Sequence, residues 1–332
     1  MPPLKIAMIG CGGFSNRHAT YLHGKPAEVE LVAFVDPSRQ RAADHAARFG
    51  APGAQVFTTH QELFAAVRPD AVLITIPPFA HSDEVEMAAR RGIHIFIEKP
   101  IALNPEIAWG MVDAVEKAGV VSQVGFMYRF GAVARRIKEL TASGVAGEAG
   151  LMTARYFCNS LHAEWWRDRT KSGGQVFEQA VHLVDLMRYL LGEAATVYSR
   201  QTNLFHRAVP GYTVEDVSGT VFGFQSGAIG VLAATNGAIP NRWEYDFNYV
   251  ARNLTIQARD ADHALLTYTA EVDLRTETIA SDADVYALEM DEFLNAVRTG
   301  GPTTTPMREG ALTLAMAAAA MRAGESHREE PV

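Results

Sequence analysis

The 332 residues include only two cysteines, Cys11 and Cys158. They supply neither a disulfide framework nor a paired-cysteine zinc pattern, and a reducing cytoplasm is the compartment expected for such a chain. The eleven histidines form no helical His-Glu-x-x-His pair or comparable ligand set, so no metal site is expected. No apolar run approaches the length of a membrane span. The amino terminus passes almost at once into "LKIAMIG", without the charged start, longer apolar stretch and small-residue cleavage site of a signal peptide. A basic excess is also missing: the formal net charge is -8, and the short cluster Arg135-Arg136-Ile137-Lys138 suits a solvated helix face. These absences argue against a nucleic-acid or membrane partner.

What remains is an ordinary globular composition in a chain long enough for two domains, each with its own core. Apolar runs at 4–9, 29–36, 71–76 and 93–98 alternate with segments of helical composition that stop at Gly50, Gly92 and Gly119. This alternation predicts an α/β fold with a doubly wound parallel sheet over residues 1–124. From 125 to 332 the rhythm changes to hairpin-spaced strands at 149–157, 196–203, 216–224, 228–235, 243–251 and 253–259. One helix, 176–191, interrupts them, and two more near 284–298 and 308–323 close the chain, free to pack back on the first domain. The expectation is an α+β domain with a large, mostly antiparallel open sheet.

Gly10-x-Gly12-x-x-Ser15 stands between the first strand and the first helix, where a dinucleotide fingerprint belongs, with a small residue in place of the third glycine. The first glycine permits a tight turn, and the second lets the backbone approach a pyrophosphate that faces the helix N-terminus. Asp36 ends the second strand, where a carboxylate accepts hydrogen bonds from the adenosine ribose. The competing reading makes Gly12-Gly13 a plain turn and Asp36 a helix cap. A carboxylate there repels a 2′-phosphate, which favours NAD, while Arg39 and Arg41 keep NADP open.

Two constellations carry chemistry. Glu98-Lys99-Pro100 ends an apolar strand, and ligands of a doubly wound sheet bind beyond the carboxyl ends of its strands. In the 176–191 helix, Glu178, His182 and Asp185 fall at i, i+4 and i+7 and would share one face amid apolar neighbours.

With these motifs in place the chain resembles the Gfo/Idh/MocA family, the glucose-fructose oxidoreductase and inositol dehydrogenase-like enzymes. "GCGGFS", "VDPSRQRA", "TIPPFAH", "GIHIFIEKP", "QVGFMYRF" and "GGQVFEQAVHLVDLMRYLLGE" carry the resemblance essentially end to end. It implies a Rossmann domain followed by a substrate domain, and an NAD(P)-dependent oxidation of a secondary alcohol on a sugar, cyclitol or similar polyol-like substrate. Lys99 and His182 are implied as catalytic residues beside the nicotinamide. Glu178 stands where an aspartate is common and is implied as a substrate ligand or a partner of the histidine. Gly10, Gly12, Gly13, Phe14, Asp36, Pro77, His81, Glu98, Lys99, Trp166 and Arg167 are implied as cofactor neighbours, and Arg129 as a substrate neighbour. Burial in a core is the alternative for Trp165 and Trp166. A homodimer or homotetramer through the second sheet is expected, because its strands carry small and apolar residues on both faces. Two rival functions share the fold: a dinucleotide-binding sensor without turnover, and redox-neutral chemistry on tightly bound NAD.

Overall fold

In a computed structural model, which describes residues 2–270 and 272–332, the chain divides into two compact units. The amino-terminal elements are β1 Leu4–Ile9, α1 Ser15–His23, β2 Val29–Val35, α2 Arg39–Phe49, β3 Gln55–Phe57 and α3 His60–Ala66. They continue as β4 Ala71–Ile74, α4 Glu84–Arg90, β5 His94–Ile97, α5 Pro105–Ala118 and β6 Ser122–Val124. After these come α6 Ala132–Ala142, β7 Ala149–Phe157, and the short helices α7 Glu164–Arg167, α8 Arg169–Ser172 and α9 Gln175–Glu178. The chain then runs through α10 Val181–Leu191, β8 Ala194–Thr202, β9 Val217–Phe224, β10 Ile229–Thr235, β11 Phe247–Ala251 and β12 Leu254–Ala258. It ends with β13 His263–Tyr268, β14 Arg275–Ala280, α11 Val285–Thr299, α12 Met307–Ser326 and β15 Glu330–Pro331.

The first sheet is parallel throughout, in the order β3-β2-β1-β4-β5-β6. Its central strands β1, β2, β4 and β5 are mostly apolar because both faces are covered. The winding reverses between β1 and β4, which opens a crevice at the carboxyl ends of those strands. Ile6, Met8, Leu31, Phe34, Leu73 and Phe96 form one core with Met290, Phe293 and Leu294 of α11. The first unit is therefore residues 1–125 with 286–311, and the second is 126–285 with 312–332. Against the division at 124/125, α11 joins the first unit, the packing left open for the closing helices.

The second unit holds a nine-stranded sheet, β14-β13-β12-β11-β7-β10-β9-β8-β15, antiparallel except for β7 beside β10. Alternation is clean: Phe222, Leu232, Tyr249, Ile256 and Leu266 are buried, whereas Tyr198, Val221, Ile229 and Leu265 remain exposed on the opposite face. The helix expected at 176–191 is two helices. The Ala180 N–H reaches back five residues to the Gln175 carbonyl, and α10 starts afresh after it. Glu178 therefore ends α9, while His182 and Asp185 belong to α10.

Candidate active site

The glycine loop follows from steric demands at each position. A Cβ on Gly10, whose φ is 96°, would stand 2.7 Å from the Thr75 carbonyl oxygen, so only glycine fits against β4. A Cβ on Gly12 or Gly13 would meet nothing within 4 Å, leaving their backbone open to a ligand. Ser15 replaces the third glycine, and its Oγ donates to the Gly12 carbonyl at 2.6 Å, tying the loop to α1. The first turn of α1 has neither an acidic residue nor a side-chain cap. Its N–H groups and positive dipole end suit a pyrophosphate.

Asp36 is 4% exposed and does not cap α2, a role Ser38 fills. Its Oδ2 accepts from the Cys11 N–H at 3.1 Å, while Oδ1 accepts from the Ser38 N–H at 2.8 Å and from Arg41 Nε and Nη2 at 3.0 and 2.7 Å. Burial pushes this carboxyl up, but the Arg41 and backbone hydrogen bonds outweigh burial and hold it below its usual range. The chain thus presents an ionised carboxylate with an exposed guanidinium beside it.

At the end of β5, Glu98 is buried and Lys99 half-buried, and the Lys99–Pro100 bond is cis. The Glu98 N–H extends the ladder to the Ile74 carbonyl. Its carboxylate occupies the space that a side chain on Gly125 would take, and His18 Nε2 lies 2.7 Å from Oε1. Phe14 is largely exposed on the glycine loop, with its ring edge-on to His18. Pro77 is half-buried after β4. The His81 side chain is buried, and its Nδ1 lies 2.5 Å from Glu84 Oε1. Burial pushes the Glu84 carboxyl up, yet the hydrogen bond and charge of His81 hold it at about 2. The pair braces the 77–84 loop from within.

In the second unit, Gly173 and Gly174 both take positive φ, and a Cβ on Gly174 would stand 2.5 Å from Glu215 Oε2. The other Glu215 oxygen accepts the Val176 N–H at 2.9 Å, which seats α9. His182, in the first turn of α10, is buried with its ring centroid 5.4 Å from Tyr128. Tyr128 in turn stacks on Tyr245 at 5.3 Å. These two tyrosines were missed, since nothing in "FMYRF" or "WEYDF" separates a site aromatic from a core one.

Four residues singled out in the sequence are held by contacts within the second unit. Arg129 is 3% exposed, and its Nε and Nη2 donate to Asp185 Oδ2 and Oδ1 at 2.8 and 2.7 Å, so this guanidinium edge is held in a buried ion pair. Asp185 also accepts from Thr313 Oγ1 at 2.9 Å and is a structural acid, not part of a polar site face. Trp166 is buried against Tyr212 and Val214, and its indole N–H donates to Glu178 Oε2 at 2.8 Å. Arg167 donates to the Leu161 and His162 carbonyls, pinning their loop. Core burial, the alternative for Trp166, is what the structure places there. The pinned loop carries His162, at φ 51°, whose ring lies 4.4 Å from that of Trp166 and whose Nε2 lies 2.8 Å from Gln179 Nε2. Sequence offered no spacing signal for His162.

Among the described residues, no group of three His, Cys, Asp or Glu could hold a metal, and no helix is long and apolar enough to cross a membrane. The oxidoreductase family with an NAD-binding Rossmann fold matches residues 4–126, and the C-terminal domain of Gfo/Idh/MocA proteins matches 134–257. D-glucoside 3-dehydrogenase of Escherichia coli (strain K12) is 32% identical over 57% of this chain and 54% of its own, so the match spans about half of that relative. Inositol 2-dehydrogenase of Burkholderia ambifaria (strain MC40-6) is 26% identical over 99% of this chain and 96% of its own. Levoglucosan dehydrogenase in complex with NADH shares the fold, with a TM-score of 0.89 and 20% identity over 99% of both chains. The chain belongs to the Gfo/Idh/MocA family of oxidoreductases, and its first unit is an NAD-binding Rossmann domain.

Proposed function

We propose that this protein is an NAD-dependent dehydrogenase that interconverts a secondary alcohol and a ketone on a sugar, cyclitol or similar polyol. The observation that carries the reading is Lys99, held at the carboxyl end of β5 by a buried glutamate, one strand from the switch-point crevice of an NAD-binding sheet. NAD, when bound, takes up the hydride from the substrate carbon. Open glycine backbone and the α1 N-terminus receive its pyrophosphate, and Asp36 accepts from the adenosine ribose. The His182 imidazole takes the hydroxyl proton as the carbon–oxygen double bond forms, acting as general base. The Lys99 ammonium hydrogen-bonds the same oxygen and stabilises its developing negative charge. Glu178 serves through Trp166, fixing the wall beside α10, and Tyr128 packs the face of the histidine ring.

Polyol substrates of the relatives, inositol and a glucoside by name, support the substrate class. Two buried free thiols, Cys11 and Cys158, suit a reducing cytoplasm. The exposed face of the second sheet, with Val221 and Ile229 among apolar neighbours, supports a homodimer or homotetramer formed through it. A panel of sugars, cyclitols and their keto forms, read by NADH absorbance, tests the activity. Reduction of NAD with at least one polyol is expected, and silence across the panel in both directions would overturn the reading.

A further inference from the structure

We infer that His18 is a positioning residue for Lys99, acting through Glu98. The inference rests on the proposed role of Lys99 but is read from contacts within the first unit alone. His18 is 2% exposed on the inner face of α1, and its ring is enclosed edge-on by Phe96 at 5.2 Å, Phe14 at 5.5 Å and Tyr286 at 6.5 Å. Enclosed in this way the imidazole has one direction for Nε2, toward Glu98 Oε1 at 2.7 Å. The other carboxylate oxygen accepts the Lys99 backbone N–H at 3.3 Å, and the absent side chain of Gly125 leaves the space that the carboxylate fills. A buried carboxylate needs its donors, so fixing Glu98 fixes the turn that leads into Lys99.

The same helix begins at the glycine loop. His18 lies three residues after Ser15, so the element whose N-terminus receives the pyrophosphate also holds the acid next to the lysine. A structural histidine would be replaceable by any side chain of similar packing, whereas a positioning one depends on the donor at Nε2.

Two substitutions separate these roles. His18→Gln places an amide nitrogen near the former Nε2 and keeps the bond to Glu98, while His18→Asn places one near Nδ1 and loses it. The full-length chain is assayed for turnover, for NAD binding by calorimetry, and for the rate of Lys99 labelling by an amine-reactive reagent, with exposed Lys117 as internal reference. His18→Asn should lower turnover up to about 100-fold, the scale of a misplaced reacting group, with NAD affinity changed by less than about threefold. It should also alter the relative labelling rate of Lys99, and His18→Gln should restore both readouts. Unchanged Lys99 labelling in His18→Asn, or equal impairment in the two variants, would overturn the inference. Should the wild-type chain oxidise no polyol, the proposed function fails, and the labelling comparison still decides the role of His18. If His18→Asn does not fold, Glu98→Gln removes the charged acceptor from the other side, and an unchanged Lys99 labelling rate there would count against the inference.

Discussion

Replacing Asp36 with alanine isolates the choice between NAD and NADP. The carboxylate is ionised and buried, with Arg41, Ser38 and Cys11 as its donors. A ribose hydroxyl hydrogen-bonded to such a charged group gains about 1.5–3 kcal/mol, so the variant should bind NAD roughly 10- to 150-fold more weakly. NADP should lose far less, because the repulsion on its 2′-phosphate disappears and Arg41 is released from its partner. The wild-type preference for NAD should therefore shrink by about tenfold or more. The Cys11 and Ser38 N–H groups also lose their acceptor, costing about 1–3 kcal/mol of folding stability, which denaturant unfolding measures separately. Calorimetric titration of both proteins with both cofactors supplies the four affinities. Tighter binding of NADP by the wild type, or an equal loss for the two cofactors, would refute the reasoning.

Arg41→Ala should weaken NADP relative to NAD by at most about fivefold, a small effect because the guanidinium is exposed, and the same titrations measure it. Arg129→Ala should cost about 3–5 kcal/mol in urea unfolding, since it strands the buried Asp185 charge, and a loss below about 1 kcal/mol would contradict that account. The Glu84 carboxyl is depressed in the fold, so its contribution to stability is full above its ordinary value of 4.5 and is lost as pH falls toward about 2. Glu84→Gln should flatten that acid limb in unfolding experiments run across the interval. If the exposed sheet face forms the proposed oligomer, Val221→Glu should yield monomers in light scattering, whereas a wild-type monomer at micromolar concentration would refute that proposal.

The parallel sheet was legible because its central strands read as mostly apolar runs and several of the helices between them stop at a glycine, Gly50, Gly92 and Gly119. The glycine loop was legible for the same kind of reason, since Gly10 faces a steric demand that no other residue meets. The break between α9 and α10 was not. Nothing from Val176 to Leu191 is glycine or proline, and Gln179 turns there while its side chain binds His162 and Cys158, partners 17 and 21 residues away. Helical periodicity records local spacing and is blind to such a tertiary demand. The roles of Asp185 and Arg129 were hidden similarly: a buried pair 56 residues apart looks, in sequence, like two separate polar positions of a site. His18 lies on the buried side of α1, and only the structure shows which acid it meets.

In the proposed mechanism Lys99 and His182 act on the substrate hydroxyl while the dinucleotide is held by the glycine loop and Asp36. Lys99→Ala and His182→Ala, measured side by side for turnover and for NAD affinity with the substrate identified by the panel, test it most directly. Turnover should fall by roughly 10²- to 10⁴-fold in each variant, the scale of a positioned acid or base, with NAD affinity little changed. Near-normal turnover in both variants would contradict the account and leave the lysine a strand terminus and the histidine a core residue.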